Sequence, residues 1–278
     1  VRTASVTSEL TFNDFKAGVQ DPFIAELDRI SRQIPLDKGF SPQGYKMISD
    51  FPILKKAGTY EVEAMRTIQL FSAAFNMNNK KTGRDVLRRA EELHLIPEEQ
   101  SGSRKHRRAV LTALNKVLVT DISRQLRLPL TLTSNDAKAC FDRIVLWVAS
   151  LALQRIGLSS TAAFAMTNTL QSATHNIKTA YGESNQQYTS TWPPLQGSGQ
   201  GNGAGPTIWV MISAILLTIM KEEGFGLNVI SCLSHLSIAI AGFAFVDDTD
   251  IINAANTVET TGEDLLAQQQ LVIDTWEG

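Results

Sequence analysis

Ser237-Ile238-Ala239-Ile240-Ala241-Gly242-Phe243-Ala244-Phe245-Val246-Asp247-Asp248-Thr249-Asp250-Ile251-Ile252-Asn253 holds two apolar runs, residues 237–245 and 249–253, broken by an acidic pair. Runs rich in Ile, Ala and Phe, separated by so short a polar interval, predict a β-hairpin whose tight turn contains Val246-Asp247-Asp248. Two ionised carboxylates beside a core repel one another, and burial disfavours both charges unless cations compensate them. The plain alternative is a solvated turn that happens to use two aspartates.

A second acid lies upstream at the end of another strand pattern. Residues 129–133 alternate Leu130 and Leu132 with Thr131 and Thr133, then run directly into Asn135-Asp136. If this strand lies beside the 237–253 hairpin, Asp136 and Asp247 converge and can hold two Mg²⁺ ions about 4 Å apart. Asp142, six positions on, has a plainer reading as a helix N-cap or first-turn acid.

Around these strands the pattern is helical. Apolar positions recur at three and four in residues 84–94 and 107–127, as in Val110, Leu111, Leu114, Val117 and Leu118, with basic outer faces. Residues 142–158, 161–181 and 258–276 also read as helices. Residues 182–205 read as a polar, Pro/Gly-rich loop, and the apolar run 206–220 as a buried helix too short to cross a bilayer. Residues 1–60 are punctuated by Pro22, Pro35, Gly39, Pro42, Gly44, Pro52 and Gly58, which predicts short elements joined by turns.

Charge divides unevenly. Residues 1–130 carry 21 Lys+Arg against 15 Asp+Glu, net +6, and residues 131–278 carry 5 against 13, net −8, which together give the chain's −2. A basic part that lies along phosphates and an acidic part that holds divalent cations is a division suited to a polymerase, although uneven scatter gives the same numbers. The two cysteines, Cys140 and Cys232, lack CxxC partners and exclude a disulfide framework or zinc site, which fits a reducing intracellular compartment. The chain opens on Val1 with no signal segment, as an internal piece of a longer protein would.

Residues 199–204, Gly-Gln-Gly-Asn-Gly-Ala, satisfy the dinucleotide pattern G-x-G-x-x-A, but they follow Trp192-Pro193-Pro194 rather than a strand, and no Walker lysine follows. Arg104-Lys105-His106-Arg107-Arg108 is a compact basic run ahead of a helix, suited either to template phosphates or to plain solvation. His94, His106, His175 and His235 show no ligand spacing and read as structural or solvent-facing.

Three motifs then occur in order: Asn135-Asp136-Ala137-Lys138-Ala139-Cys140-Phe141-Asp142, Gly197-Ser198-Gly199-Gln200-Gly201-Asn202-Gly203-Ala204-Gly205-Pro206, and Phe243-Ala244-Phe245-Val246-Asp247-Asp248. They resemble the D-x-x-x-x-F/Y-D, G-x-P-Q-G-x-x-x-S-P and F/Y-x-D-D motifs of reverse transcriptases of the non-LTR retrotransposon and group II intron type. Gly199 and Gly205 stand where that family has Pro and Ser. Upstream, residues 53–58, 66–68 and 99–104 resemble its finger motifs, so the likeness covers roughly residues 35–278.

The resemblance implies an α+β right-hand polymerase, with fingers in 1–128 and an antiparallel palm in 129–278 interrupted by finger-like helices near 143–190, ending before the thumb. It implies Asp136, Asp247 and Asp248 as catalytic acids and, with the Ala137 carbonyl, as ligands of two Mg²⁺ ions that Mn²⁺ can replace. Lys55, with Lys56 as its alternate, Arg66, Ala137, Phe141 and Gln200 would meet the incoming dNTP, Phe141 by excluding a 2′-hydroxyl. Arg104, Lys105, Gly201 and Phe245 would meet an RNA template and a DNA or RNA primer. No membrane partner and no oligomer are implied. A non-catalytic RNA-binding remnant of a mobile element and an RNA-dependent RNA polymerase stand as alternatives.

Overall fold

The structure, a computed structural model, describes residues 10–277 apart from 60, 138, 191, 232, 256 and 258, so Cys232 and the expected helix start at Val258 lie outside the described residues. In chain order the elements are α1 (Phe12–Gly18), α2 (Pro22–Lys38), β1 (Met47–Leu54), β2 (Met65–Leu70), α3 (Ala73–Glu92), α4 (Ala109–Leu126), β3 (Leu130–Asp136) and α5 (Cys140–Arg143). Then come α6 (Leu146–Arg155), α7 (Ser160–Gln171), β4 (Thr174–Thr179), β5 (Gly182–Tyr188), α8 (Gly205–Glu222), β6 (Leu227–Ile230), β7 (Ser237–Ile240), β8 (Gly242–Phe245), β9 (Asp248–Ala254) and α9 (Gly262–Glu277). This is an α+β chain whose strand pairs are antiparallel except for β1 with β4.

The chain forms two compact units, residues 1–89 with 141–208 and residues 90–140 with 209–278. Segment 143–190, expected as an insertion in the palm, thus belongs to the first unit. By sequence the first unit carries 17 Lys+Arg against 12 Asp+Glu and the second 9 against 16, nets of +5 and −7, so the charge division follows the units.

In the first unit the sheet order is β2-β1-β4-β5. Pro52 sits in β1 without breaking it because β4 pairs only with residues 47–50, which leaves the missing N–H of Pro52 at an edge. Ile48, Phe71, Phe75, Leu146, Leu170 and Ala173 form the core on one face. Three expectations need correction here. Residues 22–38 are one helix, started by Asp21, whose Oδ1 accepts from the amides of Phe23 and Ile24, with Pro22 in the first turn, and closed by Gly39 at φ 68°. The expected helix 161–181 stops at Gln171, and Thr174–Thr179 joins the sheet. Residues 182–188, expected as loop, pair with it as β5.

In the second unit the sheet order is β3-β9-β8, with β6 and β7 as a separate pair. Val119 of α4 packs with Phe243, Ile252 and Ala254 on one face. On the other face Met220 of α8 and Val272 of α9 pack with Ala241 and Ile251. The apolar run expected as one strand, 237–245, is therefore two, bent at the buried Ala241. α8 spans 18 residues and is, among the described helices, the one long and apolar enough to cross a bilayer, with 56% of it buried in the fold.

Candidate active site

The acids of the second unit are placed by strand register. β3 and β9 pair antiparallel with Ser134 opposite Asp250 and Asp136 opposite Asp248, while β8 and β9 close with Phe245 opposite Asp248. Val246 and Asp247 form the two-residue turn between them, as the apolar pattern predicts. Directly opposed residues share a face, so Asp136 and Asp248 are cross-strand neighbours and Asp247 is adjacent in the turn.

The four aspartates of this corner differ in their partners. Asp250 is compensated: Lys116 Nζ of α4 lies 2.6 Å from its Oδ2, and Ser134 Oγ donates to its Oδ1. Among the described residues Asp136, Asp247 and Asp248 have no side-chain hydrogen bond or ion pair. Asp136 and Asp248 are exposed and Asp247 is half-buried. Hard carboxylate oxygens open to water are the donor type that Mg²⁺ takes, so the residues fit that ion in kind. Among the described residues no three His, Cys, Asp or Glu side chains gather closely enough to chelate one ion as placed; the backbone brings the triad together and the side chains do not close it. The Ala137 carbonyl accepts from Cys140 N–H at 3.1 Å, which leaves it one lone pair for a further partner.

The turn is held from behind. Val246 has φ 59°, a left-handed conformation costly for a β-branched residue, in a turn that type II′ geometry would give to glycine. Trp209 Nε1 donates to the Val246 carbonyl. Residues 99–101 run beside β8: Ala244 N–H donates to Glu99 O at 2.9 Å and Ser101 N–H to Ala244 O at 2.8 Å. Gly102 passes so close that a Cβ there would lie 2.1 Å from the Val246 nitrogen. Sequence reading assigned 99–104 by resemblance alone and missed that this segment braces the acid turn.

One expected nucleic-acid contact is corrected. Arg104 is not at the surface: its side chain is 3% exposed and every arm of the guanidinium is used. Nε and Nη2 pair with Glu91 at 2.6 and 2.7 Å, and Nη1 donates to the carbonyls of Pro97 and Gln100. Arg104 holds the Glu91 carboxyl below the usual carboxylate range, chiefly through these hydrogen bonds. Arg104 is thus a pin for the bracing segment, while Lys105 is exposed and Arg107 pairs with Glu98.

The expected nucleotide contacts lie in the first unit. Arg66 is exposed on β2 opposite Ile53, and Lys55 is exposed just past the end of β1, so both cations stand near one end of the β1–β2 hairpin. Phe141 is half-buried, and its carbonyl accepts from Ser198 N–H at 2.7 Å. The glycine loop lies backbone to backbone on its neighbours: a Cβ on Gly197 would be 2.7 Å from Asp142 O, and one on Gly201 would be 2.3 Å from Gln69 O. Gly197, Gly199 and Gly201 all have positive φ. Close approach and handedness together require glycine there. Gln200 carries its backbone carbonyl to Gln69 N–H at 2.7 Å and its side-chain Nε2 to Asp142 Oδ2 at 3.0 Å. Neither the helix-start reading of Asp142 nor the motif that it closes anticipates this bond. Phe245, half-buried, and Gly201, exposed, border the acid turn and the loop respectively, each in its own unit.

No protein-family model matches this chain, and no curated protein matches it either.

Proposed function

We propose that the chain is the fingers-and-palm part of a right-hand polymerase: an RNA-directed DNA polymerase that adds deoxynucleotides to a primer 3′-hydroxyl opposite an RNA template. The observation that carries the reading is the contrast among four neighbouring aspartates, where Asp250 has Lys116 and Ser134 while Asp136, Asp247 and Asp248 have no described partner. Like charges held together at a braced turn are unfavourable unless a divalent cation joins them.

Asp136, Asp247 and Asp248 would hold Mg²⁺, which when bound supplies Lewis acidity to the attacking and departing oxygens. In the overall transfer the primer 3′-oxygen forms a bond to the α-phosphorus, the hydroxyl proton is lost, and pyrophosphate leaves. On the first unit, Lys55 and Arg66 would meet triphosphate oxygens and the Phe141 ring would limit room beside the sugar of a nucleotide, as the resemblance implies. The fingers-and-palm division, the RNA template and the primer all belong to this proposal.

Asp247→Asn tests it. Primer extension by the full chain on an RNA template should fall about a hundredfold or more, with RNA affinity changed less than about twofold because the substitution removes charge from the ion site and not from a phosphate contact. Undiminished extension by that variant would sink the reading. Salt-sensitive RNA binding by the unaltered chain, with no Mg²⁺-dependent incorporation, would favour the non-catalytic remnant.

A further inference from the structure

Asp142 is the first-turn acid of a helix only four residues long, so the helix dipole gives it little to do. Its carboxylate instead accepts a hydrogen bond from Gln200 Nε2 at 3.0 Å, 58 residues away in sequence and within the same unit. The backbones of both partners are already anchored. Ser198 N–H donates to Phe141 O at 2.7 Å, Gly197 passes directly against the Asp142 carbonyl, and the Gln200 carbonyl accepts from Gln69 N–H at 2.7 Å. The side-chain torsions are the freedom that Gln200 has left, and the bond to Asp142 removes it.

Chemistry decides which way the amide turns. A carboxylate only accepts, whereas a glutamine amide has a donating end and an accepting end, so Nε2 must face Asp142 and Oε1 is left for a ligand. We infer that Asp142 is a positioning residue that fixes the Gln200 amide, so that the glycine loop offers its ligand a hydrogen-bond acceptor in a set orientation. The ligand assigned to that acceptor, an incoming nucleotide, rests on the polymerase reading above.

The surroundings of Asp142 make this a built arrangement. Burial pushes its carboxyl above the ordinary range, the Gln200 bond opposes that, the negative charge of Asp50 adds to it, and Lys55 opposes it. Asp50 is itself held in place, because its Oδ2 is bound by His175 Nδ1 at 3.0 Å and by the Tyr188 hydroxyl. The charged groups acting on Asp142, Asp50 and Lys55, lie on β1 and just past its end.

Two measurements on the full chain test the inference. In ¹⁵N NMR the Gln200 side-chain amide, identified by its loss in Gln200→Ala, should move as Asp142 ionises and should stop moving in Asp142→Asn. In primer extension, Asp142→Leu should raise the dNTP KM about tenfold with kcat changed less than about twofold, the scale of one lost hydrogen bond to a charged group. Asp142→Asn, which keeps an accepting oxygen, should recover most of that loss, and Asp142→Leu should add less than about twofold in a Gln200→Ala background. An amide indifferent to Asp142 ionisation, or effects of the two substitutions that multiply, overturns the inference. A coupled amide in a chain that incorporates no nucleotide upholds the positioning and overturns the polymerase reading instead. An uncoupled amide in a chain that extends primers does the reverse.

Discussion

The acid turn at 245–248 and the glycine loop at 197–205 solve opposite problems. The turn forces a branched residue, Val246, into a left-handed conformation and gathers carboxylates without described cations, then relies on a brace of 99–102 and Trp209. The loop puts glycine where left-handed backbone is needed and satisfies its polar groups with hydrogen bonds to Gln69, Asn76 and Asp142. One region keeps unfavourable terms that a ligand could relieve; the other is settled within the protein. Strain and uncompensated charge, more than glycine content, mark where chemistry is to be sought.

The largest effects should come from crowding either region. Gly102→Ala places a methyl against the Val246 backbone, and Gly201→Ala adds one against Gln69 O at φ 125°. Each should cost about 3 kcal/mol or more in denaturant unfolding. If Gly102→Ala proved harmless, the brace would not be rigid and the contrast would fail. Arg104→Ala should follow at about 3 kcal/mol, since it leaves Glu91 and two carbonyls without their shared donor. The neighbouring Lys105→Ala should leave stability within about 0.5 kcal/mol and flatten the salt dependence of RNA binding by roughly one unit of slope.

Smaller effects sharpen the comparison. Val246→Gly relieves the positive φ and should stabilise the fold by about 1 kcal/mol, read as a rise in Tm, whereas a valine strained to no purpose would have no reason to be backed by Trp209. Asp142→Asn should have the smallest effect, and a pH-dependent one. The folded carboxyl binds its proton more tightly than the unfolded one, so its favourable contribution is present below the ordinary carboxylate pKa and is lost as pH rises through the raised folded value. Asn should therefore stabilise the chain relative to Asp at pH 7, with the gap closing in acid. A gap that widens in acid would reverse the sign of the assignment.

Much of the second unit was legible because its sheet is half-buried on both sides and its acids interrupt apolar runs. The turn at Val246-Asp247, the strand ending at Asp136 and the apolar α8 each break or obey a period in plain view. The first unit was harder. α2 presents Phe23, Ile24, Leu27, Ile30 and Ile34 to the surface, and Pro35 lies within it, so punctuation outweighed the Asp21-Pro22 start and Gly39 stop that do define it. β5 is exposed along its whole length, so no buried face imposes alternation on residues 182–188. Side-chain partnerships such as Asp142 with Gln200, or Arg104 with Glu91, are tertiary facts that no local pattern encodes. Arg104 was misplaced for that reason, since a basic run reads as solvated whether or not one member turns inward.

The path of the chain between its two units has a kinetic consequence. It passes from one to the other near residues 89, 140 and 208, so the first unit lacks residues 141–208 until most of the chain has been synthesised, and residues 90–140 wait for their partners in 209–278. β3, which ends in Asp136, finds its place only when β9 emerges more than a hundred residues later. Such long loop closures slow folding and leave Val119 of α4 without Phe243, Ile252 and Ala254, which pack against it in the finished fold, in the interval. A ribosome-bound chain would thus carry α4 and β3 well before it carried β9, the strand that sets Asp248 opposite Asp136.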